Sequence, residues 1–377
     1  MSANTTSSPF GRRLRAMMGA LAAAATLVAL AGCASPASGS GAPSASSEGP
    51  AAELRLGYFA NVTHAPALVG VQQGLLAQHL GSTTLTTQTF NAGPAAIEAL
   101  SAGAIDATFI GPNPAINSFI QSRGASVRIV SGAASGGAAL VVSDRIQSAA
   151  DLKGANLATP QLGNTQDVAL RSWLSEQGLT TSISGGNVDV TITPTENSQV
   201  LTLFQNGTID GAWVPEPWVS RLVVDGKDRG AHVLVDEASL WPDGAFPTTV
   251  LLVNADFLSK HPETVKALIE GEEASIAWLD AHKGTEAETA INAQLQADTG
   301  KSLSPDVLTR ALQNLTFTTD PNAAAFPTLV AHGVTAGTSK DGDIHGLFDL
   351  ALLNETRTAA GQPTVDDAGL GPKGAGK

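Results

Sequence analysis

Four short stretches of this chain concentrate small neutral hydrogen-bonding side chains: Asn61, Thr63 and His64; Asn91 with Gly93; Asn113; and Gln161, Asn164, Thr165 and Gln166. Each falls between an apolar, strand-like run and a helix-like one. The first turn of a helix carries backbone N–H groups without intrahelical partners, and the positive end of the helix dipole lies behind them. Amides and hydroxyls placed beside such groups can hold a small anion reversibly without a fixed countercharge. Helix capping uses the same residue types, so capping and ligand contact stay open as alternatives at each position. His64 is equally able to donate to an anion or to be satisfied within its own loop.

Bond-making chemistry has little to work with. There is no Gly-x-Ser-x-Gly elbow, and the one cysteine, Cys33, lies ahead of any folded region. The seven histidines never fall at His-x-x-x-His spacing, so no metal site is expected. Gly369, Gly371 and Gly374 match the letters of a dinucleotide fingerprint, but no strand precedes them and no helix follows. Neither catalytic residues nor a cofactor are expected.

The elements that must position the candidate residues are marked by a repeat. Gly103-Ala104-Ile105-Asp106 is followed by an apolar strand and by Pro112-Asn113-Pro114; Gly207-Thr208-Ile209-Asp210 is followed by another and by Pro215-Glu216-Pro217. Each copy comes after a helix-like run, which gives the order helix, turn, buried strand, rigid loop, helix. In open parallel sheets, loops of this kind lie at the carboxyl ends of strands, where ligands bind. Two α/β lobes facing a shared cleft are therefore expected. Around the second proline loop, Trp213, Trp218 and Trp241 either wall the pocket or pack in the core, and Trp213, which opens the loop, is a candidate ligand contact. Glu216 either bonds within its lobe or meets an amino group on the ligand.

A chain of 377 residues is long for one core. Its net charge of -13 leaves no basic face for nucleic acid. The N-terminus reads as an export signal: Arg12, Arg13 and Arg15, then the apolar run 16–31, which is short of the about 20 residues a spanning helix needs. Leu30-Ala31-Gly32-Cys33 resembles a bacterial lipobox, which implies lipidation of Cys33 and attachment to the outer face of the cell membrane. Residues 34–52, rich in Ser, Ala, Gly and Pro, are expected to form a flexible tether.

Alternating strands and helices from 54 to 131, and again from 156 to 235, predict a mostly parallel sheet in each lobe. The apolar stretches near 140 and 250 read as a two-strand hinge, and helices follow at 256–260, 262–281, 285–296 and 304–314. The expected division is a signal at 1–32, lipidated Cys and tether at 33–52, first lobe at 53–140 plus 250–362, second lobe at 141–249, and a disordered tail at 363–377.

Stretches 54–75, 90–117, 159–176 and 207–221 resemble the substrate-binding proteins of ABC importers for aliphatic sulfonates, taurine and nitrate. The resemblance covers roughly residues 53–260 and rests on Ala92-Gly93-Pro94, on the stretch from Ser148 to Gly154 and on the Trp213 to Pro217 loop. It implies a type II periplasmic-binding-protein fold, a monomer closing on a small anionic ligand, and delivery to a membrane permease. Thr63-His64-Ala65 is similar to a stretch of proteins that bind or make the thiamine pyrimidine precursor, which keeps a pyrimidine open as the ligand.

Overall fold

The computed structural model describes residues 47–372. The export signal, Cys33 and the final five residues lie outside the described residues.

The first half of one lobe runs β1 (Glu53–Phe59), α1 (Ala65–Gln72), α2 (Leu75–Leu80), β2 (Thr84–Phe90), α3 (Gly93–Ser101), β3 (Ala107–Ile110), α4 (Pro112–Gln121) and β4 (Val127–Gly136). A second series follows: β5 (Ala138–Val142), β6 (Asn156–Thr159), α5 (Thr165–Glu176), β7 (Thr191–Pro194), α6 (Asn197–Gln205), β8 (Gly211–Pro215), α7 (Trp218–Asp225) and β9 (His232–Asp236). The chain then returns through β10 (Pro247–Asn254), α8 (Ala255–Lys260), α9 (Pro262–Ala281), α10 (Thr285–Thr299), α11 (Pro305–Gln313), β11 (Leu315–Phe317), α12 (Phe326–Thr335) and α13 (Ala351–Ala359).

Two sheets result, with strand orders β11-β4-β10-β3-β1-β2 and β7-β6-β8-β5-β9. In each, three parallel strands are followed by one antiparallel strand: β10 between β3 and β4, β5 between β8 and β9. Helices cover both sheets, so the expected pair of doubly wound lobes is what the chain forms. Their cores are separate. Leu54, Leu56, Phe109 and Leu251 pack with Leu68, Ile269 and Phe348 around the first sheet. Trp173, Trp213 and Leu157 fill one face of the second, and Phe204, Val214 and Leu222 the other.

The Gly-x-Ile-Asp repeat does the same mechanical work in each lobe, at the end of the sheet away from the proline loops. Asp106 accepts from the backbone N–H of Arg55 at 2.9 Å, and its own N–H donates back to the Arg55 carbonyl at 2.8 Å. Asp210 repeats both bonds with Asn156, at 2.9 and 2.8 Å. The carbonyl of each aspartate then accepts from the residue at or just past the end of the antiparallel strand, Asn254 or Ser143, at 2.9 Å in both lobes. An arginine completes each clasp, Arg55 on Asp106 and Arg145 on Asp210.

The chain changes sheets earlier than residues 140 and 249 suggest. All of β5 belongs to the second sheet and all of β10 to the first, so the crossings are Gly136-Gly137 and residues 237–246. Both glycines have positive φ, 83° and 72°, and a Cβ on Gly137 would strike the side chain of Leu315. The returning helices also do more than cover the first lobe: α11 packs on α7 and α12 on α5, across the lobe boundary.

Two expected irregular segments are ordered where they are described. At the end of the tether, Glu48 N donates to the Lys260 carbonyl at 2.8 Å and Ala51 N to Thr264 Oγ1 at 2.8 Å, which ties 48–51 to α8 and α9. In the tail, Val365 and Leu370 are buried in the first core, and Asn354 holds Val365 through both N–H and carbonyl. Backbone hydrogen bonds in the first segment and the apolar anchors Val365 and Leu370 in the second outweigh their polar, glycine-rich composition.

Candidate functional site

The loops after β1, β2, β3 and β6 converge where the lobes meet. There Phe59, Asn61, Thr63, His64, Asn91, Gly111, Asn164, Gln166, Asn197, Pro215 and Thr248 enclose a cavity of about 20 Å³, room for little more than one water. No charged side chain lines it. Asn61, Asn91 and Asn197 also line a larger outer cleft of about 560 Å³ that opens between α6 and α7 on one side and α10 and α11 on the other.

Hydrogen bonds across the lobe boundary frame the cavity. Trp218 Nε1 donates to Asn61 Oδ1 at 2.7 Å, and Gly93 N to Asn164 Oδ1 at 3.0 Å. Asn91 Nδ2 donates to Glu196 Oε1 at 3.2 Å, and Asn113 N approaches Thr165 Oγ1 at 3.4 Å. Gly111 packs directly against the other lobe, where a Cβ would collide with Thr165 Oγ1.

His64 is a neutral donor. Its Nδ1 accepts from Phe59 N at 3.3 Å, its ring stacks on Phe59 at 4.4 Å, and burial pushes its pKa down to about 3. The ring proton therefore sits on Nε2. Beside it the hydroxyl of Thr63 makes no hydrogen bond to the described residues. The β6–α5 loop is held from beneath by buried Asp167, which accepts from Thr159 Oγ1 at 2.8 Å, Gly163 N at 3.0 Å and Arg171 Nε at 3.0 Å. Asn164 is then free to point one amide end at Gly93 and the other at Gln166 Oε1, 2.9 Å away. Among the described residues no group of three or more His, Cys, Asp or Glu is placed to hold a metal ion.

The candidate residues thus divide. Asn61, Thr63, His64, Asn91, Asn164 and Gln166 line the cavity. Gly93, Asn113 and Thr165 stand at its margin as contacts between lobes. Gln161 is half-buried and contributes only its carbonyl, to Asn164 N at 2.9 Å. Trp213 is a correction: it is fully buried in the second core, its Nε1 donating to Glu237 Oε2 at 2.8 Å, and Trp218 is the tryptophan at the cleft. Glu216 is another. Its carboxylate is fully buried and accepts from Ser220 N at 3.0 Å, Ser220 Oγ at 2.9 Å and Asn314 Nδ2 at 2.7 Å, so the residue fastens α7 to the end of α11 and lines neither the cavity nor the cleft.

Sequence reasoning missed Asn197 and Thr248. Asn197 opens α6 directly after β7, the same strand-to-helix punctuation that marked the other loops, and its Oδ1 is buried without a partner. Thr248 lies on the returning strand β10, where no local pattern singles it out.

The chain is similar to known binding proteins. The Taurine-binding periplasmic protein of Escherichia coli K12 is 30% identical over 225 residues, which span 57% of this chain and 65% of that protein. Two solved structures share the fold. The alkanesulfonate-binding protein SsuA of Xanthomonas axonopodis pv. citri, bound to MOPS, has a TM-score of 0.62 at 22% identity, over 77% of this chain and 95% of that one. The periplasmic nitrate-binding protein NrtA of Synechocystis PCC 6803 has 0.67 at 17%, over 85% and 91%. All three are binding proteins rather than enzymes, and the two lobes described above form the type II periplasmic-binding-protein fold. Residues 47–293, which carry every lining residue of the inner cavity, match the profile of one family throughout, and the chain belongs to that NMT1-like family.

Proposed function

We propose that the protein captures a small oxyanion between its lobes, an aliphatic sulfonate or taurine with nitrate as the inorganic counterpart, and delivers it unchanged to an ABC permease. The observation that carries this reading is the lining of the inner cavity: both lobes contribute uncharged hydrogen-bonding groups, and none contributes a fixed charge. His64 Nε2–H, the Thr63 hydroxyl and the amides of Asn61, Asn91 and Gln166 suit oxygen atoms that must be gripped and released. Ligand contacts made to both lobes at once favour the closed arrangement, so capture is a population shift about the two crossings. The names of the relatives support the same ligand class.

In this reading the protein acts as a monomer on the outer face of the cell membrane, held by lipid on Cys33. A thermal-shift panel of taurine, alkanesulfonates, nitrate, bicarbonate and pyrimidines tests the ligand. A true ligand at 100 times its Kd stabilises the fold by about 2.7 kcal/mol. A response to a pyrimidine with none to any sulfonate or nitrate overturns the assignment. Cys33→Ser is expected to release the protein from membranes in fractionation; retention overturns the anchor.

A further inference from the structure

The outer cleft has its own chemistry. Arg221, one turn along α7 from Trp218, lies with its guanidinium carbon 5.2 Å from the centre of the Trp218 ring. Its five N–H donors have no hydrogen-bond or ion-pair partner among the described residues, although Arg145, Arg171 and Arg229 in the same lobe are all paired. Trp218 is itself anchored to Asn61 of the other lobe, so the surface on which Arg221 rests belongs to the closed arrangement. Across the cleft stands Lys301, whose ammonium is likewise unpaired. Phe90, Leu303 and Val307 supply apolar wall, and Asp225 is the one acid in the lining.

Size links this cleft to the inner cavity. At about 20 Å³ the inner cavity has no room for a carbon chain, so the rest of an organic ligand whose head is gripped there must pass between Asn61, Asn91 and Asn197 into the outer space. There an arginine held flat on an aromatic ring presents the planar fork that matches a carboxylate or sulfonate in two parallel hydrogen bonds.

We propose that the outer cleft is a second anion subsite, with Arg221 and Lys301 gripping a far acidic group of the ligand from opposite lobes, and that the preferred cargo is a short organic dianion such as a sulfonate bearing a carboxylate. This rests on the oxyanion reading of the inner cavity and narrows it. A ligand charged at both ends touches both lobes at two places, which favours closure more than either group alone.

The test is titration calorimetry of the purified protein with propane-1-sulfonate, 3-sulfopropanoate and 3-aminopropane-1-sulfonate, repeated on Arg221→Gln and Lys301→Gln. In the unsubstituted protein 3-sulfopropanoate is expected to bind at least about ten-fold tighter than propane-1-sulfonate, the scale of one charge-assisted bidentate contact. Arg221→Gln should bring that ratio close to one, and Lys301→Gln should reduce it by a smaller factor. Equal affinity for all three probes overturns the subsite while leaving the parent reading intact. Tightest binding of the amine overturns it in favour of Asp225 as the partner. Failure of every sulfonate to bind sinks the parent reading and the subsite together. Lys301 is an exposed side chain, so its variant keeps the test decisive if Arg221→Gln does not fold.

Discussion

The amide oxygen of Asn61 in the first lobe accepts a 2.7 Å hydrogen bond from the indole N–H of Trp218 in the second. This bond exists only when the lobes are together, so its loss costs the closed state and not the fold of either lobe. Trp218→Phe keeps the aromatic surface and removes the donor. Ligand affinity is expected to fall about five- to ten-fold, the worth of one hydrogen bond of about 1 kcal/mol. Calorimetry measures the affinity, and the unfolding midpoint without ligand should move little.

Gly111 gives a steric version of the same test. Its φ of -70° is ordinary for any residue, yet a Cβ there would collide with Thr165 of the other lobe. Gly111→Ala should therefore fold normally and resist closure. Ligand affinity should drop more than about ten-fold, the effect of taxing the binding-competent state. X-ray scattering with saturating ligand should report a larger radius of gyration than for the unsubstituted protein. Identical scattering would contradict the closure mechanism.

Glu216 separates a structural role from a ligand role. Burial raises its pKa, but three donors are organised around it, Ser220 N, Ser220 Oγ and Asn314 Nδ2. Glu216→Ala leaves those groups unpaired in a buried site and should destabilise by roughly 2–3 kcal/mol. Glu216→Gln, which retains acceptor capacity, should cost less. Urea unfolding of both variants checks the order.

Glu237 and His64 contribute opposite slopes to stability versus pH. Burial pushes the Glu237 carboxyl up to about 7, so its stabilising contribution is complete below the ordinary value of 4.5 and is lost as pH rises to about 7. His64 has the opposite sign: with its pKa lowered to about 3, stability is lost as pH falls below 6.5. Each slope is at most about 1.4 kcal/mol per pH unit, and between 4.5 and 6.5 they oppose each other. Glu237→Gln keeps an acceptor for Trp213 and carries no proton to lose. Its stability relative to the unsubstituted protein should climb from pH 4.5 to 7 and stay level above. Parallel pH profiles in urea unfolding would refute the assignment.

Much of the architecture is legible wherever apolar runs are bounded by glycine, proline or a capping residue. The strands at 107–110 and 156–159 and the helix at 262–281 fall where their patterns end. The region from 315 to 362 is different. α12, with Pro327 near its start and Gly333 near its end, has weak helical character of its own and is held by Leu329 and Val330 in the first core and by packing on α4 and α5. β11 exists only because three residues pair with β4. The same division applies to the site. Neutral loop residues could be picked out from strand-to-helix punctuation, and Asn197 carries that signal too. β8 is buried on both faces, so alternation could not tell whether Trp213 faced core or cleft. Nor could Glu216 announce a partner lying 98 residues away.

The returning strand also dictates an order of events at the ribosome. β10 sits between β3 and β4, so the first sheet remains in two pieces until residues 247–254 have been made. Every strand of the second sheet lies between Ala138 and Asp236, and none waits for later chain. The inserted half is therefore complete while its host is still open, and the nascent protein must carry unpaired β3 and β4 edges through that interval.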